Sequence, residues 1–371
     1  MTFEFPVPST IRLQSFSGFE VRGFFYNVLG SVDPDLASSV HAGKTLAPFS
    51  VTPVLLERGG REVVCYDRVE PGLARFTFAL ARDDVARAVY RAIQAGISSV
   101  VIANHALPVS SIRLEGLEPR SLFEPKRGGD ESPREGGTPS SPSQNTDSAA
   151  SPTVTSAVTP SPSLSPSEPP PLVSPYSNAP SSAEQTGAAK GFELLFITPT
   201  YFRATPLDLA KEYSLDESLL APYRFIALPD PILMFRGLVR TWREFVGGEG
   251  LEDFVKWVEA GGVLLSGYPS GIFTKRVYEH PMTNKWVVGF VGKARFSFSS
   301  KLYDQKMAEK ALALLKFGEI MGVGAGRTSG LGRVKLLQNL GGSYSAATGG
   351  TREEVDSGQI EETGIQGEVE A

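Results

Sequence analysis

Cysteine and histidine are scarce in this chain of 371 residues. The single cysteine, Cys65, excludes a disulfide within the chain and any metal cage built from several thiolates. Three histidines, His41, His105 and His280, are too few for a typical zinc centre made mainly of imidazoles. We therefore expect a cytoplasmic protein that uses no metal and no other cofactor.

Long hydrophobic runs are also absent. The uncharged apolar stretches fall far short of the roughly 20 residues that a membrane span needs. The first residues, Met1–Phe16, show no basic start followed by an apolar block, which is the pattern of a secretory signal. The sequence therefore predicts neither secretion nor a membrane partner.

The net charge of −5 is unevenly distributed along the chain. The segment Arg352–Ala371 has seven acidic residues and one basic residue, and the run Lys126–Lys190 has six acidic and four basic residues. Without these two segments, the remaining chain has a net charge near +3. A slightly basic folded part is compatible with a nucleic-acid partner.

Two segments have the composition of unfolded chain. Residues 126–190 are dominated by serine and proline, and residues 341–371 are acidic and poor in large apolar side chains. Neither segment buries enough apolar surface to offset its ordering entropy, so we predict a disordered linker and a disordered acidic tail. Two domains remain, at residues 1–125 and 191–340.

The first domain reads as strand, helix, strand, strand, helix, strand. Helix Gly18–Leu29 has its apolar residues on one face, and a second helix begins at Asp83 and stops at Gly96. The four expected β segments are Thr10–Phe16, Ala47–Leu56, a layer formed together by Glu62–Tyr66 and Ala74–Ala81, and Ser98–Leu114. This order is that of a ferredoxin-like unit.

The second domain also has the mixed helix and strand pattern of a ferredoxin-like unit. Asp230 and Pro231 are expected to start a helix that runs to Phe245, since proline suits the first helical turn. Further helices are expected at Leu251–Glu259 and Asp304–Ile320, and strands at Phe192–Ile197, Lys285–Ser299 and Arg333–Leu337. The predicted fold class is therefore α+β, with two tandem ferredoxin-like domains joined by the linker.

A glycine-rich loop precedes the last strand. It places five glycines in eleven positions, together with two arginines and two hydroxyl side chains, and its candidate RNA-binding residues are Gly322, Gly324, Gly326, Arg327, Thr328, Ser329, Gly330, Gly332 and Arg333. Such a backbone approaches a phosphate closely and offers it N–H groups. The spacing differs from that of a nucleoside-triphosphate P-loop, which ends in lysine and follows a strand. A flexible connection without a ligand is the alternative.

Tyr26, His41 and Lys44 are the candidate catalytic residues. Tyr26 lies away from the apolar face of its helix, next to Arg22, and Lys44 follows His41 across Gly43. Cleavage of RNA by its own 2′-hydroxyl needs two proton transfers and a cation near phosphorus, which these three side chains supply. The alternatives are a structural histidine and a surface tyrosine packed against a neighbouring segment.

A row of arginines lies on the helix that starts at Pro231. Arg236, Arg240 and Arg243 are spaced at i, i+4 and i+7, and the first two are candidate RNA-binding residues. The alternative is that their aliphatic stems cover apolar surface while their charges stay in water.

Four motifs resemble the CRISPR-associated endoribonucleases that cut repeat RNA into guide RNAs, within the RAMP superfamily. They are Tyr26 and His41–Lys44 leading into Pro48–Pro53, then Phe196–Arg203, Leu228–Pro231 and Gly322–Arg333. The resemblance implies two ferredoxin-like domains, and RNA bound between them against the glycine-rich loop. It also implies cleavage without metal that leaves 2′,3′-cyclic phosphate and 5′-hydroxyl ends.

The resemblance also implies partners. These are CRISPR repeat RNA and other CRISPR-associated proteins, and a homodimer is left open. Two other functions compete with repeat-RNA cleavage. One is a non-catalytic RAMP subunit that coats guide RNA in an effector complex, and the other is a nucleotide-binding enzyme, which the spacing of the glycines disfavours.

Overall fold

The computed structural model describes residues 1–43, 46–116, 119, 122, 190–204, 224–248, 250–280 and 285–339. The predicted linker, apart from Lys190, and the predicted tail lie outside the described residues, and so does Lys44. The boundaries of the two domains within these segments therefore stay predictions.

Among the described residues, the first half forms a six-stranded antiparallel sheet, two additional two-stranded sheets and three α-helices. Its elements are β1 (Thr2–Val7), β2 (Ile11–Arg12), α1 (Ser17–Val32), α2 (Pro34–His41), β3 (Phe49–Val51), β4 (Leu55–Arg58), β5 (Arg61–Val64), β6 (Arg68–Val69), β7 (Gly72–Leu80), α3 (Asp83–Gln94), β8 (Ser99–Ile102), β9 (His105–Pro108) and β10 (Ser111–Arg113). The strand order is β10-β1-β7-β4-β5, and β3 also pairs with β7. With β3 and β4 together in the second-strand position, this is the ferredoxin-like arrangement that the sequence predicts.

The opening strand was predicted in the wrong place. It lies at Thr2–Val7 rather than Thr10–Phe16, where only the two-residue strand β2 forms. Phe3, Phe5 and Val7 alternate inward and are buried, which favours this segment as the central strand. Pro6 is tolerated there because β10 pairs only with Thr2–Glu4, so the missing N–H faces no partner strand on that side.

Helices α1 and α2 meet at a sharp, well-capped corner. The apolar stripe of α1, including Val21, Phe24 and Phe25, is buried against the sheet as predicted. The carboxylate of Asp33 then caps α2 by accepting a 2.9 Å hydrogen bond from the N–H of Leu36. This corner folds α2 back, so that its last residue, His41, returns toward α1.

The second half repeats the arrangement with longer strands. Its elements are β11 (Gly191–Thr200), β12 (Phe202–Ala204), β13 (Arg224–Ile226), α4 (Pro231–Phe245), α5 (Glu252–Trp257), a π-helical turn (Val258–Gly262), β14 (Val263–Gly267), β15 (Ile272–His280), β16 (Lys285–Phe298), α6 (Gln305–Met321), a 3₁₀ turn (Arg327–Ser329) and β17 (Val334–Asn339). The strand order is β14-β16-β11-β17, with β15 also paired to β16. The predicted fold class, α+β with two ferredoxin-like units, is confirmed.

The helix starts of the second half follow from local capping. Asp230 accepts a 2.9 Å hydrogen bond from the N–H of Leu233, and Pro231 occupies the first turn of α4. Asp304 caps α6 in the same way, through the N–H of Met307 at 3.0 Å. These two helices pack on one face of the sheet and close the second core.

The two halves contact each other directly. A small apolar cluster joins Phe16 of the first half to Tyr201, Val277 and Leu331 of the second. Polar links surround it, including a 3.2 Å hydrogen bond from Ser50 Oγ to the carbonyl oxygen of Ile320. The glycine-rich loop lies in this junction, which brings it close to α1.

Candidate functional site

Tyr26 and His41 lie in contact at the corner of α1 and α2. Their ring centroids are 4.9 Å apart, with the ring planes at 83° to each other. The histidine is exposed, whereas the tyrosine is half-buried. The structure thus brings together two of the three predicted catalytic side chains, at a distance that one phosphodiester spans.

Tyr26 is more closely tied to the core than its position on the helix predicted. Its ring packs edge-on against Phe25 and Phe49, at 5.5 and 5.7 Å between centroids. The reason is tertiary, since α2 and β3 cover the side of α1 that the helical wheel leaves exposed. Burial raises the pKa of Tyr26 above its ordinary value, and the charge of Arg22 opposes this rise.

Arg22 is a candidate site residue that the sequence did not single out. Its Nη1 donates a 2.8 Å hydrogen bond to Oγ of Ser329 in the glycine-rich loop. Its guanidinium also lies 5.1 Å from the centre of the Phe19 ring. The sequence could have identified Arg22 from its i, i+4 spacing to Tyr26, because residues at this spacing share one helix face. Arg22 therefore links the tyrosine to the loop.

The glycine-rich loop is folded tightly rather than loosely connected. The N–H of Val323 donates to the carbonyl oxygen of Gly332 at 2.8 Å, and the N–H of Ala325 donates to that of Tyr201 at 2.9 Å. Gly330 has a φ of +74°, and an added Cβ would lie 2.9 Å from the backbone nitrogen of Pro53. Packing within the protein thus explains part of the glycine content, and the alternative of a loose connection is wrong.

One stretch of the loop faces a cleft. The cleft has a volume of about 360 Å³, and its lining includes Gly324–Thr328, Arg203, Arg240 and the apolar pair Leu46–Ala47. The N–H groups of Arg327 and Thr328 open the 3₁₀ turn, where a helix leaves its first amides without internal acceptors. We call this feature the loop cleft. Leu46 and Ala47 follow the His41–Lys44 segment along the chain.

The two arginines of the loop differ in their surroundings. Arg327 is buried, donates from Nη1 to the carbonyl oxygen of Met321 at 3.1 Å, and has a pKa lowered to about 10, mainly by burial. Arg333 instead pairs with Glu62 of the first half, at 3.0 Å between Nη2 and Oε2. Burial lowers the pKa of Arg333, and Glu62 opposes that fall. Arg327 contributes positive potential to the loop cleft, while Arg333 joins the two halves.

The remaining loop residues take different positions. Thr328 lines the loop cleft, whereas Ser329 is buried and accepts the hydrogen bond of Arg22. Gly322, Gly324, Gly326, Gly330 and Gly332 all have positive φ. An added Cβ at Gly332 would lie 1.9 Å from the carbonyl oxygen of Val323, so that glycine serves the fold of the loop.

The arginine row of α4 is mostly paired. Arg236 Nε lies 2.7 Å from Glu259 Oε1, and Arg243 forms an ion pair with Glu252. Arg240 stands between them and has no carboxylate partner among the described residues. It lines both the loop cleft and a second cleft of about 350 Å³ on the outer side of α4, which we call the helix cleft. Of the row, Arg240 is the residue best placed to bind an anion.

Two general properties complete the description. In the part of the chain that the structure describes, no group of three or more histidine, cysteine, aspartate and glutamate side chains is arranged to hold a metal ion. No helix among the described residues is long and apolar enough to cross a membrane.

Comparison with known proteins agrees with this fold. Residues 194–334 match the sequence model of the CRISPR-associated endoribonuclease Cas6. The resemblance to the Cas6 family is confirmed. The range matched by the Cas6 model contains the glycine-rich loop and α4, whereas Tyr26 and His41 lie before it.

Solved Cas6 structures align with most of the chain. The Cas6 protein TTHB231 of Thermus thermophilus, in a product complex, aligns with a TM-score of 0.57 and 16% identity, covering 91% of this chain and 98% of that one. Cas6 protein TTHA0078, also in a product complex, gives 0.51 and 17%, with coverages of 91% and 98%. These likenesses establish a shared Cas6 fold. No curated protein sequence matches the chain.

Proposed function

We propose that this protein is a metal-independent endoribonuclease that cuts CRISPR repeat RNA into guide RNAs. The observation that carries the proposal is the contact between Tyr26 and His41, whose ring centroids are 4.9 Å apart. A cleft lined by Arg203, Arg240 and residues 324–328 of the glycine-rich loop supports it. In the proposed reaction the 2′-hydroxyl attacks the adjacent phosphorus and the 5′-oxygen leaves. The products are a 2′,3′-cyclic phosphate and a 5′-hydroxyl.

The two side chains take different roles. Burial raises the pKa of Tyr26, so its phenol is protonated at neutral pH and acts as a proton donor to the departing 5′-oxygen. His41 is exposed at the end of α2, and a neutral imidazole there accepts the proton of the 2′-hydroxyl. The pair thus supplies one acid and one base for a single linkage.

The positive charge that stabilises the transition state has two proposed sources in the protein. Lys44 is the source that the sequence predicts, and it lies outside the described residues. Arg22 is the source that the geometry adds, because it sits one helical turn before Tyr26. Cations at this position stabilise the extra negative charge that develops on the phosphate oxygens.

The loop cleft is the proposed binding site for the RNA backbone. Arg240 and the buried Arg327 set a positive potential there, and Thr328 and the first amides of the 3₁₀ turn offer hydrogen bonds to phosphate oxygens. Charge and amide donors of this kind hold a strand without reading its sequence. The hydrogen bond from Arg22 to Ser329 connects the helix that carries Tyr26 to the loop that lines this cleft.

The test compares His41→Ala with His105→Ala in cleavage of repeat RNA from the host's own CRISPR array, with EDTA present. His105 is exposed and its Nδ1 lies 2.9 Å from the carbonyl oxygen of Ala103, so its replacement is a matched control. We expect His41→Ala to slow cleavage by about 10²- to 10⁴-fold with little change in RNA affinity, and His105→Ala to leave both unchanged. Equal cleavage by the two variants would remove His41 from the mechanism.

The same experiment distinguishes repeat-RNA cleavage from the competing function, which is RNA binding without cleavage. If the wild-type chain binds repeat RNA and never cuts it, the protein is a non-catalytic RAMP subunit in which the loop cleft alone has a role.

A further inference from the structure

Two clefts lined by arginines meet at Arg240. The loop cleft and the helix cleft share Arg240, and together they are lined by Arg203, Arg236, Arg240, Arg243, Arg327 and one acidic residue, Glu244. Because Arg236 and Arg243 pair with Glu259 and Glu252, the positive potential comes mainly from Arg240 and Arg327. We call this combined surface the arginine groove. Burial of Arg327 away from any described carboxylate partner adds to its positive potential, since a guanidinium with little solvation favours a bound anion.

The same chain carries a strongly acidic segment. Residues 352–371 contain seven acidic residues and one basic residue. Their charge is opposite in sign to that of the arginine groove. A tethered polyanion of this kind competes with RNA for any surface that it reaches.

The chain between strand β17 and the acidic segment is long enough for the segment to reach the arginine groove. Strand β17 begins at Val334, directly after the glycine-rich loop, and Asn339 lies five residues further, about 17 Å along the strand. Residues 340–352 follow Asn339, and a connection of that length spans up to about 40 Å. That length is sufficient for the acidic segment to reach the arginine groove, and a short tether gives an effective concentration of about 1 mM.

We propose that the acidic segment 352–371 docks in the arginine groove and competes there with RNA. The inference rests on the proposed function, because it takes the loop cleft, which is one part of the arginine groove, as the RNA-binding surface. The docked segment then increases the selectivity of the protein for repeat RNA over other RNA. Weak, non-specific RNA is excluded by the tethered acids, whereas a repeat RNA that makes many contacts displaces them.

The experiment uses the full chain and two charge-neutralised variants. In the first, the seven acidic residues of 352–371 are changed to the matching amides, and in the second the six acidic residues of 126–190 are changed in the same way. The second variant is the matched control, because it alters net charge almost equally at a different place. The affinity of each protein for fluorescein-labelled repeat RNA is measured by anisotropy over a range of salt concentrations.

We expect the first variant to bind RNA about 3- to 10-fold more tightly than wild type at low salt, and the difference to vanish as salt screens the competition. The control variant should bind like wild type. Equal affinity of all three proteins, or equal tightening in both variants, would overturn the inference while leaving the proposed function intact. Failure of all three to bind repeat RNA would instead contradict the proposed function, and the inference with it.

A double-mutant cycle locates the docking surface. Arg240→Gln removes the central charge of the groove, so neutralising the segment in that background should tighten RNA binding much less than it does in wild type. An undiminished effect would show that the acidic segment acts elsewhere and would overturn its placement in the groove.

Discussion

Arg22 and Ser329 are joined by a 2.8 Å hydrogen bond across 307 positions of the chain. The arginine belongs to the helix that carries Tyr26, and the serine belongs to the glycine-rich loop of the other half. This bond therefore connects the helix of the proposed acid to the loop that lines the proposed RNA-binding cleft.

The first prediction separates the charge of Arg22 from its role as a link. Ser329→Ala removes the hydrogen bond and keeps the guanidinium, whereas Arg22→Ala removes both. We expect Arg22→Ala to reduce single-turnover cleavage by about 10-fold or more beyond Ser329→Ala, because it also removes a cation near phosphorus. Equal losses in the two variants would mean that Arg22 acts only by holding the loop.

The second prediction tests how closely the loop packs on α1. A Cβ at Gly18 would lie 2.1 Å from the carbonyl oxygen of Ser329, whereas no described atom lies within 4 Å of a Cβ at Gly23 of the same helix. Gly18→Ala should lower the free energy of unfolding by about 1–3 kcal/mol. Gly23→Ala should raise it by about 0.5–1 kcal/mol. Urea denaturation of the two variants checks this, and similar values would contradict the close contact.

The third prediction concerns the hydroxyl group of Tyr26. Tyr26→Phe keeps the ring contacts with Phe25, Phe49 and His41, so the free energy of unfolding should change by less than about 1 kcal/mol. Cleavage should fall by about 10²- to 10⁴-fold if the phenol donates a proton in the reaction. Single-turnover kinetics on repeat RNA measure the loss, and wild-type rates in this variant would exclude the phenol as the acid.

The fourth prediction ranks the arginines of α4. Arg240→Ala should weaken RNA binding and reduce the slope of log affinity against log salt by about 0.7–0.9, the change expected for one lost phosphate contact. Arg236→Ala should change that slope less, because its guanidinium is already paired with Glu259 at 2.7 Å. The reverse order of the two effects would place the RNA on the outer side of α4.

The fifth prediction uses the buried cysteine. Burial raises the pKa of the Cys65 thiol from 9.0 to about 12. Because the unfolded chain loses this proton first, the free energy of unfolding should fall as pH rises from about 9 toward 12, by at most about 1.4 kcal/mol per pH unit. Comparing wild type with Cys65→Ala isolates this contribution. An identical alkaline slope in both proteins would contradict it.

Local signals in the sequence were sufficient for much of the fold. The start of α4 at Pro231 follows from Asp230 and Pro231 alone, and the apolar stripe of α1 follows from its spacing. The opening strand lies at Thr2–Val7, which contains Pro6, and the tolerance of this proline depends on where β10 stops pairing. Such a tolerance is a property of the assembled sheet rather than of the segment.

The candidate site was predictable only in part. Tyr26 and His41 were identified by chemistry and by helix geometry, and the structure places them in contact. The links from Arg22 to Ser329 and from Glu62 to Arg333 arise from the packing of the two halves, so no local pattern reveals them. The same packing explains why glycines suited to phosphate binding also serve a tight junction within the protein.

The most direct test of the central claim is an analysis of product ends from repeat RNA incubated with the wild-type chain in EDTA. The account predicts cleavage that yields a 2′,3′-cyclic phosphate and a 5′-hydroxyl, and no cleavage when the nucleotide before the cut carries a 2′-deoxyribose. Cleavage of the 2′-deoxy substrate, or activity that disappears with EDTA, would contradict the acid–base role of Tyr26 and His41.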